Sequence, residues 1–102
     1  MYREEVMRTY PNFTGTSLTD KLTNGALGLA GESGEVADLV KKALFYGKSL
    51  DREALILELG DVRWYLEVLA ASLDLTMEEI EAANVAKLQK RYPTGFPFGH
   101  GK

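Results

Sequence analysis

Two acidic pairs stand at the same spacing in the sequence and are its first candidates for chemistry. Glu32 and Glu35 are three residues apart, and so are Glu58 and Asp61. Residues three apart are neighbours on one face of a helix, so each pair would present two carboxylates together. Grouped carboxylates repel one another unless a cation neutralises them. Oxygen ligands suit Mg²⁺ and Mn²⁺, so the pattern predicts a divalent metal site, with a solvated charged face as the alternative.

The elements that must position these pairs are predicted to be helices. Helix-breaking residues divide the chain into four helical segments, and no segment shows the alternation of apolar and polar residues that is typical of a strand. Ser17 and Thr76 are good N-cap residues, and Glu79 completes a capping box with Thr76. Pro11 and Pro93 end the first and last helices. We expect an all-α fold, four-helix bundle-like, with helices over 2–10, 17 or 19–45, 51–73 and 76–92.

The register of the second and third helices sharpens the metal prediction. A short turn at 47–50 joins them, so they should pack as an antiparallel hairpin. Level residues in such a hairpin have a constant sum of residue numbers. That sum is 93 both for Glu35 with Glu58 and for Glu32 with Asp61. All four carboxylates are therefore expected at one height, about 17 Å from the turn at 1.5 Å per residue.

Four glycines conflict with a helix at the first pair. Each glycine costs about 1 kcal/mol relative to alanine in a helix interior. A phosphate-binding loop is the alternative, but a P-loop needs Gly-Lys-Ser/Thr, whereas Glu32 follows Gly31 and Glu35 follows Gly34. We predict a helix with a bare strip that another helix or a ligand approaches closely, formed by Gly25, Gly28, Gly31 and Gly34.

Composition narrows the chemistry further. The chain has no cysteine and one histidine, His100, which excludes disulfides and thiolate metal sites. A ferritin-like di-iron centre needs Glu-x-x-His motifs, and neither Glu35 nor Asp61 stands in one. The net charge of −3 disfavours binding to duplex nucleic acid.

The chain is expected to form one domain over residues 1–102, with 93–102 as an extended C-terminal tail. No apolar run approaches the roughly 18 residues of a membrane span, and no signal peptide is visible. These observations predict a cytoplasmic protein without a membrane segment.

Further polar and aromatic residues are candidates for holding a phosphorylated ligand. Lys42 follows the first acidic pair on the same strip. Asn84, Lys87 and Arg91 share a face of the fourth helix by their spacing, and cations there suit a polyphosphate. Tyr65 lies one turn after Asp61, where its ring could stack on a base. A solvated face, or a core role for the aromatic ring, is the alternative at each of these positions.

The sequence resembles a known family at three places. These are Gly-Leu-Ala-Gly-Glu-Ser-Gly-Glu over 28–35 with its continuation to Lys42, Glu-Leu-Gly-Asp-Val-Arg-Trp-Tyr-Leu over 58–66, and Asn84-x-x-Lys87-x-x-x-Arg91. Together they are similar to the MazG-like all-α nucleoside triphosphate pyrophosphohydrolases, over about residues 18–93. Arg63 departs from the family pattern, which commonly has an apolar residue there, and is expected at a subunit contact or in solvent.

The resemblance implies Mg²⁺-dependent hydrolysis of an NTP or dNTP to a nucleoside monophosphate and pyrophosphate, in a house-cleaning role. It implies metal binding by Glu32, Glu35, Glu58 and Asp61, and we assign Glu35 the orientation of the attacking water. It also implies a homodimer or a dimer of dimers. Broad apolar faces on a small chain independently favour an oligomer.

Two other classes of function stay open from the sequence. One is a non-catalytic helical regulatory or interaction protein that keeps the fold. The other is a hydrolase of a different phosphorylated substrate, such as a phosphoribosyl-ATP. The four carboxylates weigh against the first class, and nucleotide turnover with Mg²⁺ would separate both from the main prediction.

Overall fold

Four helices make up the fold, and each of the last three begins at a capped residue. The computed structural model describes residues 1–96. The Ser17 hydroxyl accepts from the Asp20 amide at 3.1 Å, and the Asp51 carboxylate from the Ala54 amide at 3.0 Å. Thr76 forms a complete capping box with Glu79. These bonds satisfy amides that a helix start leaves unpaired. The helices are α1 (Tyr2–Thr9), α2 (Leu18–Phe45), α3 (Arg52–Ser72) and α4 (Met77–Arg91).

Helices α2 and α3 form the antiparallel hairpin that the sequence predicts. The turn contains Gly47 at a φ of 63°, a conformation that glycine adopts without steric cost. A Cβ at Gly25 would lie 2.7 Å from a Leu69 methyl, and one at Gly28 would overlap the Tyr65 ring. The residue numbers of Gly28 and Tyr65 add to 93, so the close approach has the predicted register. The glycine strip is therefore helical, and at Gly25 and Gly28 the missing side chains let α3 pack closely against α2.

Helix α1 packs on the C-terminal part of α3 and completes the small core. Val6, Tyr10 and Val68 are buried there, and Trp64 packs against them. The rings of Tyr10 and Trp64 are stacked, with centroids 6.0 Å apart and planes 13° apart. Burial of apolar side chains is the main stabilising term in folding. This contact therefore fixes α1 against the hairpin.

Helix α4 extends away from the other three. It has no buried residue, and it comes near α3 but not near α1 or α2 in the described part of the chain. The radius of gyration is 17.4 Å, against about 13 Å for a compact domain of this length. The all-α, four-helix prediction is confirmed, but one chain does not close a bundle, because α4 leaves the hairpin uncovered.

None of the helices described within residues 1–96 is long and apolar enough to cross a membrane. The predicted C-terminal tail begins at Pro93, and its residues 97–102, including His100, lie outside the described residues.

Candidate metal centre

Three carboxylates meet between the helices of the hairpin. One oxygen each from Glu32 on α2 and from Glu58 and Asp61 on α3 lie within 4.8 Å of one another. Glu32 and Glu58 are half-buried, and Asp61 is exposed. The helical spacing puts Glu58 and Asp61 on one face, and the hairpin register brings Glu32 opposite them. The acidic residues thus form one cluster at mid-height of the hairpin.

Repulsion within the cluster is visible in the protonation of Glu32. A hydrogen bond to the Glu58 carboxyl, which requires a proton on one of the two groups, raises the pKa of Glu32 above its usual value. Desolvation and the negative charges of Asp61, Glu58 and Glu35 act in the same direction. Each negative charge disfavours ionisation of its neighbour. Glu32 therefore holds a proton more readily than an isolated glutamate does.

The donor set fits a divalent cation. Within residues 1–96, Glu32, Glu58 and Asp61 form no ion pair with a lysine or arginine. Three carboxylate oxygens at this separation are hard ligands that Mg²⁺ and similar cations accept. The cluster lacks the nitrogen and sulfur ligands that are typical of structural zinc. The acidic cluster is consistent with a divalent metal site.

A cavity of about 280 Å³ adjoins the cluster. Glu32 and Asp61 form its acidic wall, and Trp64 and Tyr65 form its aromatic wall. The two rings meet edge to face, with centroids 4.9 Å apart. Tyr65 is held against Gly28, where a side chain would displace it. The site thus combines carboxylates for a cation with rigid ring surface for a flat apolar group.

Comparison with known proteins now decides the family. A family model for the MazG nucleotide pyrophosphohydrolase domain matches residues 21–96, which contain the acidic cluster, α4 and all of the hairpin except the first turn of α2. The chain belongs to this MazG family. Nucleotide pyrophosphohydrolysis is therefore the general class of activity that the membership indicates, and the resemblance noted in the sequence is confirmed.

A curated relative of this MazG domain comes from a bacteriophage. The gene 37 protein of Mycobacterium phage L5 is 36% identical over 96 residues, which cover 90% of this chain and 84% of the phage protein. No solved structure matches the chain.

Tyr65 is the predicted ligand-binding residue that the MazG domain brings to the cluster. Glu35 is exposed and lies outside the group of three carboxylates, although its charge still raises the pKa of Glu32. The structure thus places three of the four predicted carboxylates in one group. Lys42 instead pairs with Asp38 on its own helix, at 3.1 Å.

The predicted residues on α4 lie away from the cavity. Asn84, Lys87 and Arg91 are all exposed, and none of them lines the space beside the cluster. They would face α3 only if α4 folded back along it, and α4 extends outward instead. Within one chain, the MazG domain does not bring these groups to its own acidic cluster.

Arg63, the departure from the family pattern, has an intramolecular role. Its guanidinium donates to the Glu67 carboxylate at 2.6 Å and lies over the Tyr2 ring at 4.6 Å. Arg3 pairs with the other oxygen of Glu67. Burial acts to raise the pKa of Glu67, but hydrogen bonds from Arg3 and Arg63 outweigh it and lower that pKa. Arg63 therefore contacts α1 and Glu67 while 39% of its side chain stays exposed, and a contact with a second copy stays a prediction.

Trp64 also lines the cavity, although the sequence pattern does not single it out as a ligand-binding candidate. Its ring packs on the core as well. The sequence signal was its position three residues after Asp61, which puts both on one helix face.

Proposed function

We propose that this chain hydrolyses nucleoside or deoxynucleoside triphosphates to a nucleoside monophosphate and pyrophosphate, with Mg²⁺ as cofactor and Mn²⁺ as a possible substitute. One observation carries the proposal: two carboxylates of the three-carboxylate cluster line a cavity together with two aromatic rings. A nucleotide has a polyphosphate that needs a cation and a base that stacks on rings. The acidic wall of the cavity suits the cation and polyphosphate, and its aromatic wall suits the base.

Glu32, Glu58 and Asp61 would hold the cation. When bound, Mg²⁺ supplies neutralisation of the triphosphate and electrostatic activation for hydrolysis of its α–β bond. The chain holds its three carboxylates close together before the ion arrives. Such preorganisation means that little reorganisation is needed when charge develops in the reaction.

Glu35 is proposed to orient the attacking water. It follows Glu32 by one turn and is exposed, so a water molecule can reach it. A carboxylate outside the metal ligands keeps free lone pairs for a water proton. Glu35→Gln should therefore lower the rate of hydrolysis and leave Mg²⁺ affinity closer to that of the wild type than Asp61→Asn does.

We also propose that the active form is a homodimer or a dimer of dimers. The chain exposes 7591 Å², whereas a folded monomer of 11.3 kDa exposes about 5,700 Å². The difference exceeds the roughly 800 Å² that each partner buries in a standard interface. Large apolar side chains along the hairpin are exposed, among them Leu27, Leu44, Phe45, Ile56 and Leu57. Light scattering at micromolar concentration should give a mass of two or four chains, and a monomer would contradict the proposal.

In such an oligomer, α4 would serve the site of a second copy. Asn84, Lys87 and Arg91 carry the groups that bind phosphate well, and Lys42 remains a candidate on the rim. A mixing experiment tests this arrangement. Asp61→Asn and Lys87→Ala should each be inactive alone, and their equimolar mixture should regain about a quarter of wild-type activity if subunits exchange and sites are shared. No recovery in co-expressed mixed dimers would place Lys87 with its own cluster.

A panel of NTPs and dNTPs with product analysis tests the proposed function itself. The expected result is Mg²⁺-dependent release of pyrophosphate and a nucleoside monophosphate, abolished by chelator. Release of orthophosphate would contradict the reaction, turnover of phosphoribosyl-ATP alone would support the other substrate class, and no turnover would favour a regulatory protein. A cytoplasmic house-cleaning role belongs to the same proposal and depends on the same result.

A further inference from the structure

Trp64, which lines the cavity, is bound to α1 by a hydrogen bond between residues 55 apart in the sequence. Its indole Nε1 donates to the Thr9 hydroxyl oxygen at 3.0 Å. One side of the indole is stacked with Tyr10, and Tyr65 meets it edge to face. The remaining exposed part of the indole lines the cavity beside Glu32 and Asp61.

The geometry at Thr9 determines which way its hydroxyl points. The oxygen lies 2.8 Å from the Glu5 carbonyl and 3.0 Å from the Val6 carbonyl in the preceding turn of α1. The single hydroxyl proton is donated to these carbonyls, so a lone pair is available for the indole N–H. Thr9 therefore acts as an acceptor of known direction, anchored to the helix backbone.

Stacking alone would leave the indole free to slide in its plane, because ring contacts have little directional preference along the ring. The hydrogen bond from Nε1 removes that freedom, since N–H donors require a near-linear approach to the acceptor. The edge of Tyr65, held against Gly28, limits motion on another side. Of these contacts, only the bond to Thr9 fixes the indole by its polar atom.

We propose that Thr9 is a positioning residue that holds Trp64 as a fixed wall against which the nucleobase stacks. This inference rests on the proposed function and adds to it the part that α1 takes in substrate binding. A preformed wall loses less entropy when the base arrives than a mobile ring does. Thr9 should therefore act on KM, and the rate constant of the chemical step should depend on the acidic cluster.

The test compares Thr9→Val with two other variants. Valine keeps the shape and removes the acceptor, whereas Thr9→Ser keeps the hydroxyl. Thr16→Val is the matched control, because the exposed Thr16 hydroxyl also donates to a backbone carbonyl, that of Asn12 at 2.7 Å, but has no bond to Trp64. Thr9→Val should raise KM about three- to fivefold with kcat within twofold, Thr9→Ser should bring KM back towards the wild-type value, and Thr16→Val should change neither constant.

A spectroscopic measurement decides the inference without activity. Trp64 is the only tryptophan in the chain, so the indole band of the near-UV circular dichroism spectrum reports its fixed orientation alone. Thr9→Val should weaken this band in the nucleotide-free protein, and Thr9→Ser should retain it. An unchanged band, an unchanged KM or equal effects of valine and serine would each overturn the inference. If the wild type hydrolyses no nucleotide, the proposed function fails, and the band still decides the role of Thr9.

Discussion

The two halves of the α2–α3 hairpin differ in how their charges and glycines are covered. In the closed half, residues 18–29 and 64–72, Glu67 is buried and paired with two arginines. Gly25 and Gly28 there lie against side chains of α3. In the open half, residues 30–45 and 52–63, three carboxylates stand together and form no ion pair with a lysine or arginine of residues 1–96. A Cβ at Gly31 would meet no atom within 4 Å.

The difference separates what the chain provides for itself from what it leaves to other molecules. Every residue of α2 and α3 that is buried lies in the closed half, where α1 covers the hairpin. Burying an acid requires paired charges and hydrogen bonds, and Arg3 and Arg63 supply them to Glu67. The clustered acids of the open half are half-buried or exposed instead, and none of the three is paired with an arginine or lysine in the part of the chain that the structure describes. We infer that the open half receives the cation and a second copy, and that the nucleotide lies where the two halves meet, between the acidic cluster and the rings of Trp64 and Tyr65.

The largest expected effect is on activity, from removing a charge in the open half. Asp61→Asn keeps the shape of the side chain and removes one metal ligand, so activity should fall by about 10–100-fold or more. Glu53→Gln, an exposed acid in the first turn of α3, is the control and should retain activity. Equal loss of activity in both variants would mean that the overall negative charge of the protein, not the acidic cluster, supports hydrolysis.

In the closed half, the expected effect is on stability. Arg3→Met removes one partner of Glu67 and the donor to the Leu75 carbonyl, which it reaches at 2.7 Å. The free energy of unfolding should fall by about 1–2 kcal/mol, measured by urea denaturation. Arg8→Met removes the exposed pair with Glu5 on the same helix and should cause no measurable loss. If the two variants lost the same stability, burial of Glu67 would not matter.

Alanine substitutions at Gly31 and Gly28 should differ in their effect on stability, and the expected change at Gly31 is about 1 kcal/mol. Gly31→Ala gains helix propensity worth up to about 1 kcal/mol, and its Cβ meets no side chain within 4 Å in the described part of the chain, so thermal stability should hold or rise. Gly28→Ala must displace Tyr65 and should lower it. A Gly28→Ala variant as stable as Gly31→Ala would show that the hairpin does not need this close approach.

The smallest expected effect is opposite pH dependence of the two acidic sites, measured in chelator. The pKa of Glu67 is lowered by folding, so its stabilisation is present above the unfolded pKa and is lost as pH falls through the folded one. The pKa of Glu32 is raised, so the folded protein gains stability as pH falls from above that pKa towards the unfolded value. Glu67→Gln should remove the loss of stability that accompanies a fall in pH through the folded pKa of Glu67. Glu32→Gln should remove the gain of stability that accompanies a fall in pH through the raised pKa of Glu32. Unaltered pH profiles in both variants would contradict these assignments.

Much of the fold was predictable because its signals are local. The caps at Ser17 and Thr76 lie within three residues of the amides they satisfy, so helix starts follow from short motifs. The antiparallel register of α2 and α3 followed from one short turn and from the level acidic residues. The direction of α4 was not predictable, because it depends on what covers its apolar residues and not on its own periodicity.

The site was predictable as far as spacing reaches. Helical positions predict that Glu32, Glu58 and Asp61 lie together with Tyr65 nearby, and the structure places them so. Glu35 lies outside the three-carboxylate group, since helix rotation decides which carboxylates converge. The bond between Thr9 and Trp64 joins residues 55 apart, and the pairing of Arg3 with Glu67 joins residues 64 apart. Such long-range contacts leave no periodic signal in the sequence.

The most direct test of the central claim is a set of thermal melts with Mg²⁺ and with chelator. A cation that binds the folded state must raise the melting temperature. Mg²⁺ should therefore stabilise the wild type and Arg3→Met, which removes a partner of Glu67 in the closed half, by similar amounts, and it should stabilise Asp61→Asn much less. In chelator, Asp61→Asn should be at least as stable as the wild type, because repulsion in the cluster is relieved. An identical response to Mg²⁺ in all three proteins would contradict the metal site and the proposed hydrolysis with it.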